Sequence, residues 1–119
     1  MITIIGDKRI PSKKNRMKLG RGRVYKDAAV TEFEQYLKEL AIEEMTDSEL
    51  SLIEGPVSLT LEVVYPDNRR RDVHNCFGCV CDALEGICYK DDSQIVEISA
   101  TKRVSKGKDF FVIYIMEKK

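Results

Sequence analysis

No apolar run in this sequence approaches the roughly 18 residues of a membrane span, and the N-terminal MITIIGDKRIP has no signal-peptide core. These two absences predict a soluble, cytoplasmic protein with no membrane partner. Internal repeats and low-complexity stretches are missing too, which excludes a repeat architecture. A disulfide framework is lacking. The four cysteines, Cys76, Cys79, Cys81 and Cys88, crowd into thirteen positions, a pattern that fits reduced thiols. At 119 residues the chain suits one domain spanning 1–119, long enough to bury a core without cross-links or a structural metal.

Net charge is also absent, with 20 Lys and Arg against 20 Asp and Glu, yet the charges are segregated. Residues 1–26 hold nine bases against the single acid Asp7, a net of +8. Residues 27–55 hold nine acids against the single base Lys38, a net of −8, and the remainder is balanced at ten and ten. The block can be neutralised within the chain or simply be solvated. Its functional reading is a polyanion-binding segment backed by an acidic helix turned away from the nucleic acid.

The periodicities predict an α+β fold of order β-α-β-α-β-β, with a four-stranded mixed sheet and two helices on one face. Ile2–Gly6 is a short β-branched strand. Residues 8–26 have turn formers at Pro11, Ser12, Gly20 and Gly22 and no sustained period, so they form a long irregular loop with room for a short hairpin. The loop's bases, Lys13, Lys14, Arg16, Lys18, Arg21 and Arg23 among them, would contact phosphates without reading sequence. Tyr25 either stacks on a base or anchors the loop.

Asp27 can cap a helix reaching about Glu44, with Ala28, Phe33, Tyr36, Leu37, Leu40 and Ala41 on its core stripe and Glu32, Glu34, Glu39 and Glu43 opposite. Residues 57–65 alternate cleanly as a half-buried strand. A second helix runs from Val73 to about Glu85, capped by Asp72 and stopped by Gly86. Residues 95–104 and 110–116 are two more strands, joined by a hairpin turn at Ser105–Lys108.

The chemistry concentrates between Arg69 and Ile95, RRRDVHNCFGCVCDALEGICYKDDSQI. Asp72 and His74 lie at one end of the short helix, Asp91 and Asp92 beyond the other, and Arg69, Arg70 and Arg71 stand beside them. Oxygen-rich ligands suit a hard divalent cation and guanidinium groups suit a phosphodiester. Taken singly, Asp72 reads as a helix cap and Asp91-Asp92 as a solvated turn; it is their pairing across Gly86 that points to a site. A competing zinc-binding module would draw on His74, Cys76, Cys79 and Cys81. On one helix only Cys76 and Cys79 face the same side, and the two-knuckle spacing is missing. The thiols therefore read as core residues.

Along nearly its whole length the chain resembles the RusA family of Holliday-junction resolvases, small endonucleases of phage and prophage origin. PSKKNR followed by GRGRVY is similar to that family's Pro-Ser-x-x-Asn-Arg loop. RRRD-x-x-N is similar to its arginine-rich approach to the active-site helix, and DALEGICYKDDSQI (82–95) to its Asp-Ala-Leu-x-Gly-x-x-x-Asp-Asp-x-Gln signature. The resemblance implies a homodimer that binds branched DNA, the four-way junction, and cuts it with Mg²⁺ or Mn²⁺ in recombination and repair, without an organic cofactor. It implies metal-binding and catalytic roles for Asp72, Asp91 and Asp92, motif positions for Asn75 and Asp82, and backbone binding by Lys13, Lys14, Arg16, Arg69, Arg70 and Arg71.

Two residues depart from the family pattern. His74 stands where a second aspartate is usual, which weakens the preference for Mg²⁺ and favours Mn²⁺. Gly78 stands where a lysine is usual, removing a cation that supports the transition state, a place Lys90 can take. Both departures admit an alternative, a junction-binding protein with weakened chemistry. A purely structural or interaction protein of this fold would need neither the basic loop nor a metal.

Overall fold

Short β-branched and aromatic runs become strands in the computed structural model, and the long apolar stripe of the acidic segment becomes a helix. The structure describes residues 1–11, 17–20, 23–26, 28–71 and 73–118, and at 17–20, 23–26, 74 and 75 the backbone alone. In chain order the elements are β1 (Ile2–Gly6), β2 (Met17–Gly20), β3 (Arg23–Lys26), α1 (Ala28–Asp47) and β4 (Val57–Tyr65). There follow a 3-10 turn (Val73–Cys76), α2 (Phe77–Leu84), a second 3-10 turn (Asp92–Gln94), β5 (Ile95–Val104) and β6 (Phe110–Glu117). The expected α+β fold with a four-stranded mixed sheet and two helices is present. Within the basic segment β2 and β3 form a two-stranded hairpin.

The sheet order is β1-β6-β4-β5, with β4 antiparallel to β6 and parallel to β5. Centrality explains the sequence of β4: Val57, Leu59 and Leu61 have no exposed surface at all, each contributing about 1.5–3 kcal/mol through burial. Ser58, Thr60 and Glu62 alternate with them on the other face, which is only half covered. Among the described residues no helix is long and apolar enough to cross a membrane.

The sheet order corrects one expectation. Ser105–Lys108 is not a β-hairpin, because β4 occupies the place between β5 and β6. The turn instead carries the chain over the end of β4, where Ser105 N–H donates to the Tyr65 carbonyl at 2.9 Å. Alternation decides which face a strand buries; it does not say which strand lies beside it.

Helix α1 runs three residues past Glu44, to Asp47, and its expected cap Asp27 lies outside the described residues. Its buried line is Val30, Phe33, Glu34, Leu37, Ala41 and Met45. Two assignments from the sequence change accordingly. Ala28 is exposed, and Glu34, expected among the outward acids, is only 6 % exposed. Helical angle explains both: residue 34 falls on the line of 30, 37 and 41 whatever its polarity.

Phe111 of β6 packs edge-on against Phe33 of α1, ring centroids 5.7 Å apart, and lies directly over Gly6 of β1. A Cβ at position 6 would collide with that ring. We expect Gly6→Ala to destabilise the fold by about 1–3 kcal/mol through overpacking, read as a lower urea midpoint with unchanged slope. An unchanged midpoint would show that the ring has room to move.

Candidate active site

The arginine run is organised by an aromatic platform. Tyr65 ends β4, Pro66 cannot continue the ladder, and the chain turns through Asp67. The Arg71 guanidinium stacks on the Tyr65 ring with its carbon 4.5 Å from the centroid, and Arg9 from the basic segment lies 5.7 Å from the same ring. Arg71 also pairs with the Asp67 carboxylate at 2.9 Å and donates to the Asp67 carbonyl at 3.2 Å, leaving 14 % of its side chain exposed. The Arg69 N–H, followed by the Arg71 charge, holds the Asp67 carboxyl below its ordinary range. Burial, followed by the neighbouring Cys76 thiol, pushes the Tyr65 hydroxyl up to about 12, so the platform stays neutral. From β5, Lys102 Nζ donates to the Arg71 carbonyl at 2.8 Å. Arg71 is thus held by both its side chain and its carbonyl, while Arg69 and Arg70 remain exposed.

Residues 73–84 do not form one uniform helix. The first turn winds as 3-10, and the α-helical part begins only at Phe77. Its thiols grip the start of the basic segment. Cys79 Sγ donates to the Pro11 carbonyl at 3.3 Å, and Cys76 Sγ makes a longer contact of 4.0 Å to the Ile10 carbonyl. Burial pushes the Cys88 thiol up to about 12, and burial followed by the Asp92 charge raises that of Cys81. All four cysteines are free. Among the described residues no three of them gather as a donor set, so the zinc reading gains nothing here.

The acidic end is built by backbone geometry. Gly86, at φ +85°, closes α2 in the left-handed conformation that glycine adopts without strain. The chain then folds back, Gly86 N–H donating to the Tyr89 carbonyl at 2.7 Å while the buried Tyr89 hydroxyl donates to the Cys81 carbonyl at 2.6 Å. Gln94 locks the returning turn. Its Oε1 accepts from the N–H groups of Lys90 at 2.7 Å and Asp91 at 2.8 Å, and its Nε2 donates to the carbonyls of Ile53 at 2.9 Å and Gly55 at 2.8 Å. Asp91 completes a capping box by accepting from Ser93 N–H at 3.1 Å.

Three exposed carboxylates converge at this point. Glu85, Asp91 and Asp92 each place an oxygen within 4.8 Å of the others, and Glu85 Oε1 accepts from Asp92 N–H at 2.9 Å. The two aspartates are driven apart in acidity. The Ser93 N–H, then the hydrogen bond with Asp92, lowers Asp91; that same hydrogen bond, with the charges of Glu85 and Asp91 beside it, raises Asp92. A divalent cation relieves such like-charge crowding, and an all-oxygen donor set suits a hard ion. The donors present therefore fit a metal.

Residues 8–113 match the family model described as Endodeoxyribonuclease RusA. The chain belongs to this family. It is also 30% identical over 97 residues to the crossover junction endodeoxyribonuclease RusA of Aquifex aeolicus (strain VF5), an overlap of 79% of this chain and 73% of that protein.

Within this RusA chain the structure brings together Asp91 and Asp92 and adds Glu85, which the sequence reading did not single out. The available signal was its position: the last residue before the helix-stopping glycine faces whatever the chain folds back toward. Asp82 is exposed on α2, as is Gly78. Lys90 lies 4.0 Å from Glu54 on the surface. Asp72, Lys13, Lys14, Arg16 and Arg21 lie outside the described residues, as do the side chains of Lys18, Arg23, Tyr25, His74 and Asn75.

Gln94 carries four backbone contacts at the start of β5, so its loss has a measurable cost. We expect Gln94→Ala to lose about 1–3 kcal/mol in urea unfolding and to speed amide exchange at Lys90 and Asp91, whose N–H groups donate to its Oε1. Protection unchanged at both amides would show that the turn holds without the side-chain clamp.

Proposed function

We propose that this chain is a metal-dependent endonuclease that binds and resolves four-way DNA junctions, acting as a homodimer in recombination and repair. The observation that carries the reading is the Glu85–Asp91–Asp92 group, three carboxylate oxygens within 4.8 Å, inside the matched segment of a RusA endonuclease. The Aquifex relative's name, crossover junction endodeoxyribonuclease, supports the four-way junction as substrate. The whole chain, 1–119, acts as one nuclease domain, cytoplasmic and of phage or prophage type.

In this reading Asp72, Asp91 and Asp92 hold Mg²⁺ or Mn²⁺, with Glu85 as an added carboxylate and His74 as the ligand that tilts preference toward Mn²⁺. Such an ion, when bound, lowers the pKa of water and offsets charge gathering on the phosphate. The protein's own groups orient the DNA. Arg69 and Arg70, both exposed, take backbone phosphates, joined by Lys13, Lys14, Arg16, Lys18, Arg21 and Arg23 of the basic segment. Arg71, stacked on Tyr65 and paired with Asp67, fixes the peptide preceding Asp72 rather than reaching outward. Lys102, which donates to the Arg71 carbonyl, is a positioning residue for the same peptide.

A second reading is favoured by two residues, His74 and Gly78: a protein that binds junctions and cuts them poorly. One experiment separates the two. A labelled four-way junction is incubated with wild type, Asp72→Asn and Asp92→Asn in Mg²⁺ or Mn²⁺, with binding followed across a salt series. The nuclease reading expects paired nicks that fall by about 10²-fold or more in either variant, and affinity that drops steeply with salt. Tight binding without nicks under either metal would establish the second reading, and neither binding nor nicks would remove both.

A further inference from the structure

Three stretches of chain leave the sheet at one end, and all three are basic. β1 and β4 both run antiparallel to β6, and β5 runs parallel to β4, so β1, β4 and β5 point the same way. Phe111 of β6 is the register partner of Gly6 in β1 and of Val63 in β4, and Tyr65 is that of Val104 in β5. The three strands therefore finish level with one another. Lys8 and Arg9 follow β1, Arg69, Arg70 and Arg71 follow β4, and Lys106 and Lys108 follow β5. Asp91 and Asp92 precede β5, at its opposite end.

The acids at the basic end are already committed. Asp67 pairs with Arg71 at 2.9 Å and lies 3.7 Å from Arg69, and Asp109 pairs with Arg9 at 2.6 Å. Lys102 is turned onto the Arg71 carbonyl, and Arg103 meets Glu62 at 2.8 Å. Among the described residues Arg70, Lys106 and Lys108 take part in no ion pair, and all three are exposed. The turn that carries the two lysines is nonetheless held. Ser105 N–H donates to the Tyr65 carbonyl and Lys108 N–H to the Ser105 carbonyl, both at 2.9 Å. Gly107, at φ +77°, supplies the left-handed residue of this four-residue turn. The Arg9–Asp109 pair then ties its far side to the chain leaving β1.

We infer that the Ser105–Lys108 turn is a backbone clamp for duplex DNA, with Lys106 and Lys108 taking phosphates beside that held by Arg70. Two ammonium groups two residues apart repel each other, and a polyanion laid across them turns that repulsion into attraction. Lysine supplies a compact point charge that follows a phosphate and reads no base. The turn's fixed backbone lowers the ordering cost of presenting both side chains. Along β5, at about 3.3 Å per residue, the turn stands roughly 30 Å from the Asp91–Asp92 turn of its own chain. At about 3.4 Å per base pair that is on the order of nine pairs of duplex. Lys106 and Lys108 therefore hold an arm of the DNA and not the phosphate that faces their own chain's carboxylates. They are positioning residues. The clamp rests on the junction-binding reading and adds to it a grip at the end of the sheet away from the metal.

Binding of a labelled four-way junction in chelator, followed by fluorescence anisotropy across a salt series, tests it. Each phosphate neutralised contributes about 0.9 to the slope of log affinity against log salt. K106A/K108A is expected to lower that slope by about two and to weaken binding about tenfold or more at moderate salt, equally for junctions of different sequence. K106R/K108R keeps both charges and should restore slope and affinity. Lys38→Ala, which removes the lone base of the acidic segment, should leave both as in wild type. Both clamp lysines are exposed, so circular-dichroism melts should show every variant folded. A wild-type slope in K106A/K108A, an equal loss in Lys38→Ala, or a loss that the arginines do not restore would overturn the clamp and leave the junction reading standing. A wild type that binds no junction, or binds it without regard to salt, would overturn both. Cleavage plays no part in the readout, so a chain that cuts no junction can still carry this clamp.

Discussion

Three negative charges held within 4.8 Å of one another are the constraint around which this fold is arranged. At that separation like charges repel by an amount of order 1 kcal/mol per pair even in water-like surroundings. The backbone holds them in place. Gly86 reverses the chain, Tyr89 is buried beneath the turn, and Gln94 ties the turn to the segment that leads into β4. The amide of Asp92 faces Glu85 and the amide of Ser93 faces Asp91. Rigid scaffolding of this kind keeps a ligand set formed before the ligand arrives, which lowers the ordering cost of binding.

The basic groups are arranged on a different principle. Arg9 and Arg71 converge on Tyr65, and the thiols of Cys76 and Cys79 meet the carbonyls of Ile10 and Pro11. Ile10 and Pro11, within the N-terminal segment whose net charge is +8, are therefore held beside the first turns of the helix that follows position 72. Of the three cysteines weighed as metal ligands, Cys76 and Cys79 are core residues whose thiols meet backbone carbonyls, and Cys81 packs against the core. That role suits a helix packed tightly between the sheet, α1 and the start of a charged loop.

Much of this was legible in the residues. Alternation located β4, β5 and β6 to within a residue, and Gly86 marked the end of α2 correctly. Strand neighbours were not legible, because two faces and a period of 2 cannot distinguish a hairpin from a strand pair separated by β4. Glu34 was misassigned because polarity was weighed above helical angle. Glu85 was passed over for a related reason: its closeness to Asp91 and Asp92, six and seven residues on, exists only after Gly86 has turned the chain back. Charge segregation was visible at once, whereas the stacking of two arginines on Tyr65 depends on contacts far apart in sequence.

The central claim is that the carboxylate group is a divalent-cation site. It is tested most directly by titrating Mn²⁺ into the protein and following the free ion by electron paramagnetic resonance, for wild type, Glu85→Gln and Asp92→Asn. The account predicts a saturable wild-type site whose affinity falls about tenfold or more in Asp92→Asn and by a smaller factor in Glu85→Gln, since each removes one charged oxygen donor. Wild-type affinity in both variants, or no saturable binding in any of the three, would contradict it.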